Sequence, residues 1–209
     1  MTWSLLNGYT CLFMAGTRRR HGVESKMIKK ALILTLLTSQ SVLAIQMEAF
    51  IQKHYDETGE ETEVQKDLTP SIVIGNQQIV MEIQTLDDVH KLTKAPIQES
   101  RHYKWLCVND KKDVSYAFIS DNAMGRGNLT SVVLLEDGEG CEVFNDRLSI
   151  TIKDVPLLSA TNNKLIKAYG QIADAYYSYK PVKDGFTQAN TIQYFPDEKG
   201  VIIYQITTN

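Results

Sequence analysis

"KLIKAYGQI", residues Lys164 to Ile172, reads as the last turns of a helix with a glycine stop, and a paler version, "HKLTKAPI", stands upstream at His90 to Ile97. Around the upstream copy, Thr85 can cap a helix, Asp87 and Asp88 suit its positive start, Leu86, Val89 and Leu92 form a stripe, and Pro96 halts it. Around the downstream copy, Ser159 or Thr161 can cap, Leu165, Ile166 and Tyr169 make the apolar face, and Gly170 is the stop. Lys94-Ala95 then aligns with Lys167-Ala168, an offset of 73 residues.

The flanks share an order. "SIVIGNQQIVMEI" (71–83) alternates apolar and polar residues about Gly75-Asn76, a hairpin turn pair. After the first helix come three strand-like runs, "RHYKWLCV", "DVSYAFIS" and "LTSVVLLE". "RLSITIKD" precedes the second helix, and "AYYSYK", "NTIQYF" and "GVIIYQIT" follow it. The pattern predicts an α+β fold of two tandem β-α-β-β-β repeats, residues 70–140 and 141–209, as antiparallel meanders with helices on one face. The other face should then meet solvent or a partner. A short amphipathic N-terminal helix, "AIQMEAFIQKHYDE", and an acidic linker, read as solvated and mobile, fill residues 45–69.

"MIKKALILTLLTSQSVLA" (27–44) has two lysines, a short apolar run and small residues at −3 and −1 before a cut after Ala44. This is the layout of a bacterial secretory signal peptide, too short in its apolar part to span a bilayer. Met27 is accordingly read as the true start and residues 1–26 as an over-extended N-terminus. The expected location is periplasmic or secreted, with no stable membrane span after cleavage. Removing residues 1–44 takes away six of 22 basic and one of 25 acidic residues, leaving a net charge of about −8. Such a domain does not suit nucleic acid.

Cys107 and Cys141 are an even pair in an exported chain, so a disulfide is expected, stabilising by roughly 3 to 4 kcal/mol. No CxxC spacing accompanies them. "PLLSATNNKLIKAYG" (156–170), with the tandem order and the exported length, resembles the β-lactamase inhibitory protein architecture and the related small outer-membrane assembly lipoprotein module, over most of Ile72 to Thr208. The chain departs from the inhibitor type in having one possible disulfide, and from the lipoprotein in lacking a cysteine after the cut. The resemblance implies a binding protein that holds another protein on an exposed sheet; no inhibitory residue carries over.

The chemistry-bearing residues are sparse. His54, His90 and His102 have no metal-ligand spacing, Asp87-Asp88 suits a helix start better than an acid–base pair, and no serine sits in a nucleophile motif. Neither a metal nor another cofactor is expected, and no catalytic residue is assigned. "NLT" (128–130) spells a glycosylation sequon that a bacterial signal makes irrelevant. Tyr103 and Trp105 share one strand face and Tyr177 and Tyr179 another, a matched aromatic pair in each half. With Met124 and Arg126 in the loop "DNAMGRGN", they are the candidate partner-binding residues. The expected function is a non-enzymatic protein-binding module of inhibitor or immunity type, its partner an envelope hydrolase. An envelope-assembly accessory and a small motif-less hydrolase are the alternatives.

Overall fold

The computed structural model describes residues 45–57, 59–100, 102–121 and 127–209. The signal segment, residues 1–26, Met124 and Arg126 lie outside the described residues. Among the described residues no helix is long and apolar enough to cross a membrane.

Helix α1 (Met47–His54) buries Met47, Phe50, Ile51 and His54, the i, i+3, i+4, i+7 stripe of an amphipathic helix. No side chain caps its start. Its entry is instead fixed by backbone bonds, Met47 N–H to the Glu139 carbonyl and Glu139 N–H to the Ile45 carbonyl, both 3.0 Å. Strands β1 (Glu61–Glu63), β2 (Ser71–Ile74) and β3 (Gln77–Ile79) follow, the last two closing as a hairpin about Gly75 at φ 60°. Residues 80–84, expected to prolong β3, form turns instead. Glu82 adopts a left-handed backbone there, and its carboxylate accepts from the Thr207 N–H and hydroxyl, 2.6 Å each, tying the turn to the last strand.

Helix α2 (Leu86–Thr93) starts with a reciprocal capping box between Thr85 and Asp88. It ends on Lys94 in the left-handed conformation, so Pro96 lies just beyond the stop. The chain continues through β4 (Gln98–Glu99), β5 (Lys104–Asn109), β6 (Val114–Ser120), β7 (Ser131–Glu136), β8 (Glu142–Val143) and β9 (Leu148–Thr151). Helix α3 (Asn162–Tyr169) is capped by Thr161 and ends on Gly170 at φ 85°. β10 (Ala175–Pro181), β11 (Thr187–Phe195) and β12 (Gly200–Thr208) complete the chain.

The fold is α+β, with a mixed large sheet ordered β1-β10-β11-β12-β7-β6-β5-β4 and β8 beside β5. β1 runs parallel to β10 and β8 parallel to β5; the other pairs are antiparallel. A small sheet, β3-β2-β9, joins strands from both halves of the chain. It packs with α2 and α3 on one face of the large sheet, burying Leu106, Phe118, Val132, Tyr176, Ile192 and Ile203.

Two expectations change. The face opposite α2 and α3 is not left wholly to solvent or a partner: α1 covers its middle, sealing Trp105, Ile119, Val133, Leu135 and Ile202 beneath Met47, Phe50 and Ile51. The physical reason is that α1 carries an apolar stripe of its own, and Gly200 leaves room for it, since a Cβ at Gly200 would collide with the Phe50 ring. The acidic linker also contributes structure, because Glu61–Glu63 add to β10 as a strand.

Candidate partner-binding surface

Strand alternation puts the odd-numbered residues of β10 on the α1 side of the large sheet and Tyr176 on the other. Helix α1 lies over the β5-β6-β7-β12 part of that side, and beyond it the sheet stands open. There Tyr177 pairs with Thr191 and Tyr179 with Ala189, and on the next strand Thr191 pairs with Tyr204 and Ala189 with Ile206. Tyr179 is 58% and Ile206 43% exposed. The Tyr177 and Tyr179 rings meet edge to face, 5.4 Å between centroids, so each stiffens the other without either being buried.

Carboxylates edge this strip. Glu63 lies directly across from Tyr177, with Glu61 two residues before it on β1. Desolvation, with the nearby Glu63 charge, raises the Tyr177 hydroxyl above its ordinary value. Burial does the same for Tyr204, reinforced by Tyr55, Asp56 and Glu61, and the Tyr204 hydroxyl donates to the Tyr55 carbonyl at 2.9 Å. Asp56, Glu61 and Glu63 are exposed, and no ion pair engages them among the described residues.

A cleft of about 270 Å³ opens on the same face where α1 ends, its walls including His54, Glu57, Asp174, Gln193, Phe195 and Glu198. His54 is 5% exposed, lies against the Phe50 and Phe195 rings at 4.8 and 4.0 Å, and faces a carboxylate from each ring nitrogen. Nδ1 meets Glu57, and Nε2 meets Glu198 at 2.9 Å. Each ring nitrogen thus has a carboxylate neighbour, one from the end of α1 and one from the turn before β12. Burial would raise the Glu198 carboxyl, but bonds from Lys53 and His54 outweigh it and hold it below its ordinary value. The backbone between cleft and strip is pinned by Gln193 Nε2 on the Glu57 carbonyl and by Ala175 N–H on the Glu60 carbonyl, both 3.2 Å.

The candidate residues therefore separate. Tyr177 and Tyr179 stand on the open strip. Tyr103 and Trp105, 7% and 4% exposed, are core beneath α1, and the expectation that they line an open face is corrected: the N-terminal helix fills the space above them. Cys107 and Cys141 are disulfide-bonded, Cα atoms 5.0 Å apart, joining β5 to the connection before β8. Asp88 is engaged by the helix start: the Thr85 N–H, then Lys91 and the Thr85 hydroxyl, hold its carboxyl down at about 2. The His90 ring meets the Ala95 carbonyl, and among the described residues no group of three His, Cys, Asp or Glu side chains could hold a metal ion. Sequence reading missed Glu61, Glu63 and the His54 cleft; the only available signal was the density of acidic residues in "DETGEETE".

Comparison of the chain with family models, with curated proteins and with solved structures returns no match.

Proposed function

We propose that the chain is an exported, non-enzymatic protein-binding module of the inhibitor or immunity type, built from two copies of a β-α-β-β-β unit. The observation that carries the reading is the open strip of Tyr177, Tyr179, Ala189 and Ile206, an aromatic and aliphatic sheet surface with no element of the described chain over it. Tyrosines held rigid by a sheet and by each other lose little freedom on docking, which favours them as interface anchors. The disulfide suits an oxidising compartment such as the periplasm or the cell exterior.

Three features support duplication. Both helices are eight residues long, with threonine caps at Thr85 and Thr161 and left-handed stops at Lys94 and Gly170, each separated by 76 residues. The strands β2 and β9 pair with each other, and the last strands of the two meanders, β7 and β12, pair at the centre of the large sheet. The echo in the sequence is thus better registered on the helix stops than on Lys94 and Lys167. The hairpin strand β3 has no counterpart in the second half.

A pull-down from periplasmic extract with the chain from Ile45 onward, read by mass spectrometry, tests the reading. A reproducible envelope hydrolase that loses activity on binding is the expected result. No partner, together with turnover of a broad hydrolase substrate panel by the chain itself, refutes it.

A further inference from the structure

We infer that the partner meets this face with a surface bearing lysine and arginine side chains. The inference rests on the binding reading above and specifies the chemistry of what docks. The open tyrosine strip and the cleft at the end of α1 lie on the same side of the sheet, with Gly59 in the cleft wall and Glu61–Glu63 pairing beside the strip. The strip is bordered by Asp56, Glu61 and Glu63, all exposed and without a cationic partner among the described residues. The cleft presents Glu57, Asp174, Asp197 and Glu198, of which Glu57 and Glu198 are engaged by His54 and Lys53.

These charges sit beside aromatic faces. An ammonium or guanidinium group over Tyr177 gains cation–π attraction beside Glu63, its neighbour on β1, while apolar groups of the same partner cover Ala189 and Ile206 on the next two strands. An acidic or plain apolar partner would leave the carboxylates desolvated and unpaired, which is costly. The cleft, at about 270 Å³, has room for one long cationic side chain ending between Asp174 and Asp197. Long-range attraction to the net-acidic chain would speed the encounter.

The test uses the full chain as the cell processes it and fluorescence anisotropy with a labelled peptide alternating Lys and Ser, its Glu/Ser counterpart, and spermidine as competitor. Expected is binding of the basic peptide alone, fading as ionic strength rises toward about 1 M, where charges are screened within about 3 Å. Glu61→Lys with Glu63→Lys should weaken it by about tenfold or more, and Tyr179→Ala should also weaken it. Glu142→Lys with Asp87→Lys, the same change of charge on the opposite side of the sheet, should leave it intact. Far-UV circular dichroism confirms that each variant is folded.

Equal binding of the acidic peptide, no binding of the basic peptide, or equal loss in both charge-reversal pairs would overturn the inference. So would concentration-dependent self-association that the Glu61/Glu63 pair of changes does not alter. If a partner is captured from extract as well by the Glu61→Lys/Glu63→Lys variant as by the unmodified chain, the cationic reading fails while the binding reading stands. If the unmodified chain captures nothing, the binding reading itself fails.

Discussion

Replacing Trp105 and Tyr179 by alanine, one at a time, separates core from surface on the same side of one sheet. Trp105 is 4% exposed and packed in the cluster under Phe50 and Ile51, so its loss removes a large buried ring and leaves a cavity that α1 cannot fill. Such a change costs about 3 to 5 kcal/mol, a large share of the ~5 to 15 kcal/mol by which domains are folded. With a urea slope of about 2 kcal/mol/M the unfolding midpoint falls by about 2 M. Tyr179, at 58% exposure, loses only its edge-to-face contact with Tyr177 and some strand preference, about 1 kcal/mol or less. Its midpoint moves by about 0.5 M or less. In binding the order reverses: Tyr179→Ala costs about 2 kcal/mol, roughly thirtyfold in affinity, while any Trp105→Ala that folds keeps its affinity per folded molecule. Urea titration followed by circular dichroism gives the stabilities, since Trp105 is itself the tryptophan of the described residues. Equal destabilisation by the two changes, or unchanged affinity in Tyr179→Ala, would refute the assignment of one aromatic pair to the core and the other to the interface.

Three further outcomes follow from single contacts. Gly200→Ala pushes a methyl into the Phe50 ring and should destabilise by about 1 to 3 kcal/mol, with hydrogen exchange rising first in α1; a neutral result would mean that α1 is not seated there. Replacing Cys107 and Cys141 together by alanine opens a loop of sequence separation 34 and should cost about 4 kcal/mol in chemical denaturation, whereas a loss under about 1 kcal/mol would contradict the bond. Asp88→Asn should cost about 1 kcal/mol at neutral pH by weakening the capping box. Because the folded state holds the Asp88 carboxyl at about 2 against an ordinary 3.8, its contribution is present above pH ~4 and lost as pH falls from there toward 2; the variant and the unmodified chain should converge in acid, and a gap that persists there would exclude the mechanism.

By itself the sequence determined the parts. Apolar residues three and four apart marked all three helices of the described residues, the threonines at 85 and 161 marked two starts, Gly75-Asn76 marked the hairpin, and alternation marked the six strands of the meanders. These signals are legible because they are set by neighbours within a few residues. The same alternation made Tyr103 with Trp105 and Tyr177 with Tyr179 look alike, since it reports that two side chains share a face and not what lies over that face. Only the tertiary structure decided that α1, sequence-distant from both, packs on the first pair and leaves the second bare, with the missing side chain of Gly200 fixing where its Phe50 comes down. It also turned an acidic stretch that looked like solvated linker into β1, because Glu61–Glu63 find backbone partners in Ala175–Tyr177, more than a hundred residues away in the chain. The strip of tyrosines and its carboxylates meet through pairings between distant segments, and no local pattern in the chain encodes that meeting.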